Sequence, residues 1–203
     1  MDGAIRDTRP LARWVIRATW ITVALGMFDA IATLAVRQNA GDMITAGSPF
    51  VDLSGAVLVV VGFVTAVLAF RWIYLVAQAA YILSGGETIR PGWAVGWYFV
   101  PIANLWKPYE AMKQAWQVSE NPANWPQIPA DYLPAWWGLY LLYSVLSNAG
   151  ARLASPSYGA ADVAAWIDFV SAVVALPLAW LFTRLVRELS DAQSGRRYAE
   201  IFA

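Results

Sequence analysis

Residues Leu53 to Phe70 carry no charged side chain, and this run decides what kind of fold the chain can adopt. Wound as a helix at 1.5 Å per residue, it extends about 27 Å, close to the thickness of a bilayer's hydrocarbon core. Such a helix has no polar face to turn to water, whereas in lipid it satisfies all its backbone polar groups internally. Three further runs read the same way: Trp14 to Val36, Tyr132 to Ala151 and Val163 to Thr183. The whole chain is 59% hydrophobic and only 14% charged, where ordinary soluble domains carry about 25% charged residues. The expected fold class is therefore an all-α integral membrane protein with four transmembrane helices, at about 14–36, 53–83, 132–151 and 163–183.

Local signals punctuate these spans. Residues 1–13 read as a short polar arm. The first run is too long for a signal-peptide core, and no small-x-small cleavage site follows it. Arg37 to Phe50 reads as a loop, with Gly41, Gly47 and Pro49. The second helix continues past Arg71-Trp72 to Leu83 and stops at Ser84-Gly85-Gly86, since Gly terminates helices readily. Residues 121–134 hold four prolines and read as a linker. The last helix is expected to kink at Pro177 and to run on through Arg184 and Glu188, which have ion-pair spacing. Residues 191–203 read as a polar tail. No internal repeat stands out.

The stretch Pro91 to Trp116, PGWAVGWYFVPIANLWKPYEAMKQAW, is the expected working part. Gly92 to Val100 reads as an apolar half-helix with Pro91 in its first turn. Pro101 interrupts it and drives Val100 towards an extended backbone. Pro108 then opens a second helix. There Trp106, Tyr109, Met112 and Trp116 share one face, while Lys107, Glu110, Lys113, Gln114 and Gln117 fall mostly on the other. Trp on one side and Lys on the other suit a membrane interface. Residues 91–118 are therefore expected to form a proline-broken re-entrant or interfacial segment, with Asn104 satisfying backbone groups freed at the break.

Counting Lys and Arg chooses between topologies. With four spans, twelve basic residues share one side and only Arg37 and Arg152 lie opposite. If Gly92 to Trp106 crosses fully, giving five spans, the split becomes seven to seven. Basic residues collect on the cytoplasmic side, so the count favours four spans with both termini cytoplasmic.

The arrangement resembles a family of small bacterial multi-pass membrane proteins known only as a domain of unknown function. The resemblance rests on Phe70-Arg71-Trp72-Ile73-Tyr74 and on Gly92 to Trp97 leading into Phe99-Val100-Pro101-Ile102-Ala103-Asn104-Leu105. Pro108, Met112, Trp116 and the pair Trp136-Trp137 extend it. It covers about residues 55 to 185. It implies a multi-pass protein of the bacterial inner membrane and brings no catalytic residues with it.

The functional candidates fall into two groups. Arg71, Trp93, Trp97, Asn104, Trp106, Lys107, Glu110, Lys113 and Trp116 make a cytoplasm-facing surface for lipid headgroups or a partner protein. The plainer reading of the same residues is positive-inside anchoring and an interfacial aromatic belt, with Glu110 as the salt-bridge partner of Lys107 and Lys113. Asp29 and Asp168 form the second group, with Asp52 and Asp162 near the same outer surface. Intramembrane carboxylates often mark ion or proton paths; otherwise they are neutral or bonded structural groups. With no Cys and no His, thiolate sites, Ser-His-Asp chemistry and the usual membrane haem ligands are excluded. No metal site or cofactor is expected, and zero net charge attracts no nucleic acid. The leading expectation is thus a non-enzymatic membrane interaction or accessory module, acting with lipid, a membrane protein or a second copy. The alternative is a small ion- or proton-coupled transporter or channel using Asp29 and Asp168. A lipid-modifying enzyme built on Glu110, Lys107 and Asn104 is a third.

Overall fold

A computed structural model describes residues 5–40 and 49–202, with side-chain surroundings for 5–38 and 53–195. The expected loop glycines Gly41 and Gly47 and the side chain of Asp52 lie outside the described residues. Among those described, the fold is all-helical: α1 (Arg9–Ala40), α2 (Pro49–Leu83), α3 (Pro91–Gly96), α4 (Lys107–Glu120), α5 (Leu133–Leu153) and α6 (Ala161–Phe202). Short 3₁₀ turns occupy Trp97–Phe99, Ala103–Leu105 and Trp125–Gln127.

Three helices, α1, α2 and α6, are long and apolar enough to cross a membrane. The fourth expected span, α5, has 21 residues, but Trp136, Trp137, Tyr140, Tyr143 and Asn148 leave it no 18-residue stretch as apolar as those of the other three. Along α2, Val59 is 72% and Phe63 69% exposed. Among the described residues nothing covers these side chains, and apolar surface of that extent suits lipid better than water.

Several boundaries differ from the sequence reading. Helix α1 begins at Arg9, inside the expected arm, because Asp7 accepts the Arg9 backbone N–H at 3.1 Å and so takes one of the helix's first free donors. The half-helix expected over Gly92 to Val100 is α-helical only to Gly96 and tightens into a 3₁₀ turn. Val100 is extended at φ −101°, ψ 108°, as a residue before proline must be. Within the expected tail at 191–203, residues 191–202 continue α6. Gly85 and Gly86, at φ 65° and 94°, close α2 in left-handed conformations that L side chains resist.

The chain forms two compact units. The first comprises residues 1–17, 66–137 and 181–203. Its core sets α2 residues Trp72, Val76 and Ala80 with Met112, Ala115 and Val118 of α4 and Leu185 and Leu189 of α6, all buried. Polar groups lock this core. The Trp72 indole donates to Ser190 Oγ at 3.0 Å. Gln193, only 1% exposed, donates to the Val76 carbonyl at 3.1 Å and to Ser119 Oγ at 3.0 Å. Ser194 donates to Asp7 at 3.1 Å. These bonds are why the polar end of α6 stays helical: Val186, Leu189, Ser190, Gln193 and Ser194 lie on one helical face and enter the core together.

The second unit comprises residues 18–65 and 138–180. Thr22 and Thr65 share a hydroxyl hydrogen bond at 2.8 Å, joining α1 to α2. Arg37 pairs with Asp162 at 3.2 Å, joining α1 to α6. At Gly150 an added Cβ would clash with an Asp168 carboxylate oxygen, so the glycine lets that carboxylate sit close against α5.

Candidate functional site

The broken segment lies wholly in the first unit and forms an elbow. Pro91 starts α3, Pro101 ends the 3₁₀ turn that follows, and Pro108 sits in the first turn of α4. Trp93 and Trp97 stack at 4.5 Å. Phe70 meets Tyr98 and Phe99 with ring centroids 5.3 and 5.5 Å apart. The Trp137 indole donates to the Leu105 carbonyl at 2.8 Å, which fastens the elbow to the start of α5. Burial pushes the Tyr109 phenol above its ordinary pKa.

This anchoring leaves one side bare. Phe99 and Ile102 are each 71% exposed, and Trp93, Leu105 and Trp106 are exposed as well. Beside them Lys107 pairs with Glu110 at 2.7 Å, the partnership its i, i+3 spacing suggested. Lys113 and Arg71 make no ion pair among the described residues. The face of α4 expected to hold Trp outward is divided: Trp106 is exposed, whereas Met112 and Trp116 are buried in the core. Asn104 departs from its expected role. Its backbone N–H donates to the Val100 carbonyl at 2.8 Å, but its buried side-chain oxygen has no hydrogen-bond partner. The 3₁₀ bonds, not the Asn104 carbonyl, satisfy the broken backbone.

The second unit brings Asp29 and Asp168 to one cavity of about 500 Å³. Thr22, Tyr143, Ser147 and Ser171 also line it, and Ser54 donates a hydrogen bond to Asp29. Gly55 and Gly62 of α2 face it with nothing within 4 Å of an added Cβ, so missing side chains help keep the space open. Arg37 pairs with Asp162, not with either cavity carboxylate. No third carboxylate joins Asp29 and Asp168 among the described residues.

Sequence reasoning missed the Tyr132–Glu188–Arg184 knot of the first unit. The Tyr132 hydroxyl donates to Glu188, Arg184 donates to the same carboxylate at 2.7 Å, and the guanidinium lies 4.3 Å from the Tyr132 ring centre. Only the Arg184–Glu188 spacing hinted at it.

Fold and site together define an all-helical protein with three helices capable of crossing a membrane, carrying an apolar elbow and a dicarboxylate cavity. The chain belongs to the family described as Domain of unknown function (DUF4328), which matches residues 37–191. That match includes the elbow, Asp168 and the buried polar residue Ser190. No curated protein and no solved structure gives a significant match to the chain.

Proposed function

We propose that this is a membrane accessory module whose elbow rests in the lipid interface. The observation that carries the proposal is the cluster of exposed Phe99, Ile102, Leu105 and Trp106 beside Lys107. These side chains lose free energy on leaving water, and indole and ammonium groups suit the headgroup boundary. Four spans, with both termini on the cytoplasmic side of a bacterial inner membrane, follow from the twelve-to-two division of basic residues. The same topology puts the elbow on the cytoplasmic side.

A chain without cysteine makes both parts directly testable. A nitroxide on Ile102→Cys in proteoliposomes should be relaxed by lipid-soluble oxygen and shielded from a water-soluble nickel reagent. Free access by the nickel reagent would refute the interfacial elbow, and shielding from both reagents would put a protein there instead. Ala123→Cys should resist an impermeant maleimide in intact cells while Ser157→Cys reacts; labelling of residue 123 would replace four spans with five.

The cavity favours a second reading, a small ion- or proton-coupled transporter or channel. Two carboxylates with hydroxyl neighbours, and with no basic side chain paired to them among the described residues, suit a proton or a small cation. Flux in liposomes that persists in the Asp29→Asn, Asp168→Asn double variant would remove these residues from that reading.

A further inference from the structure

A different recess of the first unit lies between the start of α1 and the later part of α6. It encloses about 420 Å³, and its ionisable lining is Asp7, Arg9, Arg13, Arg187 and Asp191. Asp7 is already satisfied: Arg9 donates to it from Nε at 3.1 Å and from Nη2 at 2.9 Å, and Ser194 donates as well. That leaves Arg13, Arg187 and Asp191, none with an ion pair among the described residues. Two arginines from helices far apart in sequence thus face one recess, with one unpaired carboxylate, Asp191, beside them.

The guanidinium fork pairs bidentately with phosphate oxygens, and two arginines facing one recess suit a phosphate group. The surroundings point to a lipid as the source. Trp14, next to Arg13, is 60% exposed, with the Arg17 guanidinium 5.4 Å from its ring centre. Ile16 lines the recess, and α1 is apolar directly after Arg17. Exposed Trp beside Arg at the start of an apolar helix is the chemistry of a headgroup layer. We propose that this recess binds a glycerophospholipid headgroup, its phosphate held by Arg13 and Arg187 and its ammonium or hydroxyl group accepted by Asp191. The site shares no residue with the elbow, so either assignment stands or falls without the other.

The test is a titration of the detergent-purified full chain with dioctanoyl phosphatidylethanolamine and dioctanoyl phosphatidylglycerol, read by native mass spectrometry. Glycerophosphate and inorganic phosphate are the soluble probes. Removing two arginines near a membrane surface weakens binding about thirtyfold, so Arg13→Ala with Arg187→Ala should lose at least one of the two lipids by that factor. Arg152→Ala, an exposed basic residue of the second unit that lies outside both the elbow and the recess, should leave the same affinity unchanged. Undiminished binding of both lipids in the arginine double variant overturns the proposal. Inorganic phosphate binding as tightly as lipid overturns the lipid assignment. Because both arginines are exposed, the double variant should keep the wild-type unfolding temperature; if it does not, Arg187→Gln alone is expected to weaken binding about fivefold, and no change there overturns the proposal equally.

Discussion

Adding one methyl group at Gly150 should disturb the dicarboxylate cavity more than its size suggests. An Ala Cβ there would lie 2.2 Å from Asp168 Oδ1, 3.1 Å from its Cγ and 3.5 Å from Ile167 Cγ2. Relief requires the carboxylate to retreat by about 1 Å or α5 to shift, and overpacking of this kind costs about 1–3 kcal/mol. Opposing it, replacing Gly by Ala within a helix gains about 1 kcal/mol of propensity. The net loss in the native background is therefore expected at about 0–2 kcal/mol. The decisive quantity is the coupling. In an Asp168→Ala background the clash is gone, and Gly150→Ala should become neutral or stabilising by about 1 kcal/mol. Unfolding of the four proteins of this cycle in mixed micelles should give a coupling energy of about 1–3 kcal/mol. Equal effects of Gly150→Ala in both backgrounds would refute the close approach of the Asp168 carboxylate to α5.

Three other perturbations probe the first unit. Gln193→Ala removes two hydrogen bonds and leaves a void, so it should cost about 2–4 kcal/mol in the same unfolding assay, while Gln193→Leu loses the same bonds but fills more of the space and should cost less; equal losses would show that the void carries no penalty. Gly86→Ala must hold φ 94° with its Cβ 3.4 Å from the Tyr81 hydroxyl and should cost about 1–3 kcal/mol, seen as a lower unfolding midpoint, whereas an unchanged midpoint would mean that α2 ends in another conformation. Asp7 supplies a pH dependence. Its hydrogen bonds and ion pair with Arg9 hold the carboxyl well below the ordinary 3.8, so its contribution to stability is complete above that value and is lost as the pH falls through it towards the lower folded-state pKa. Asp7→Asn should therefore flatten the fall in stability below about pH 5, and a slope there as steep as the wild type's would refute the pairing.

Much of the fold is legible from neighbours along the chain. Pro101 forces Val100 to be extended because the clash lies between adjacent residues. Gly85-Gly86 ends α2 because only glycine reaches those φ values cheaply, and Lys107 meets Glu110 because one helical turn separates them. The end of α6 is not legible in this way. Read by polarity, Ser190, Gln193 and Ser194 are a solvated tail; they are buried because Trp72, Val76, Ser119 and Asp7 present matching groups from three other segments. Asn104 fails in the opposite direction, since its composition suits a broken backbone but the 3₁₀ turns leave it nothing to satisfy. The elbow's division into exposed Trp106 and buried Trp116 likewise depends on what packs against α4.

By itself, the amino-acid sequence determined the medium and the punctuation: uncharged runs exclude water as their solvent, and proline and glycine act within a residue or two. Tertiary structure alone decided the partnerships, bringing Asp29 to the cavity of Asp168, Gly150 against that carboxylate, and Arg13 to the recess of Arg187. The reason is physical. Helix propensity and hydrophobicity depend on local composition, but a contact between helices depends on each helix's rotation and closeness of approach, which are set by all the side chains between them at once.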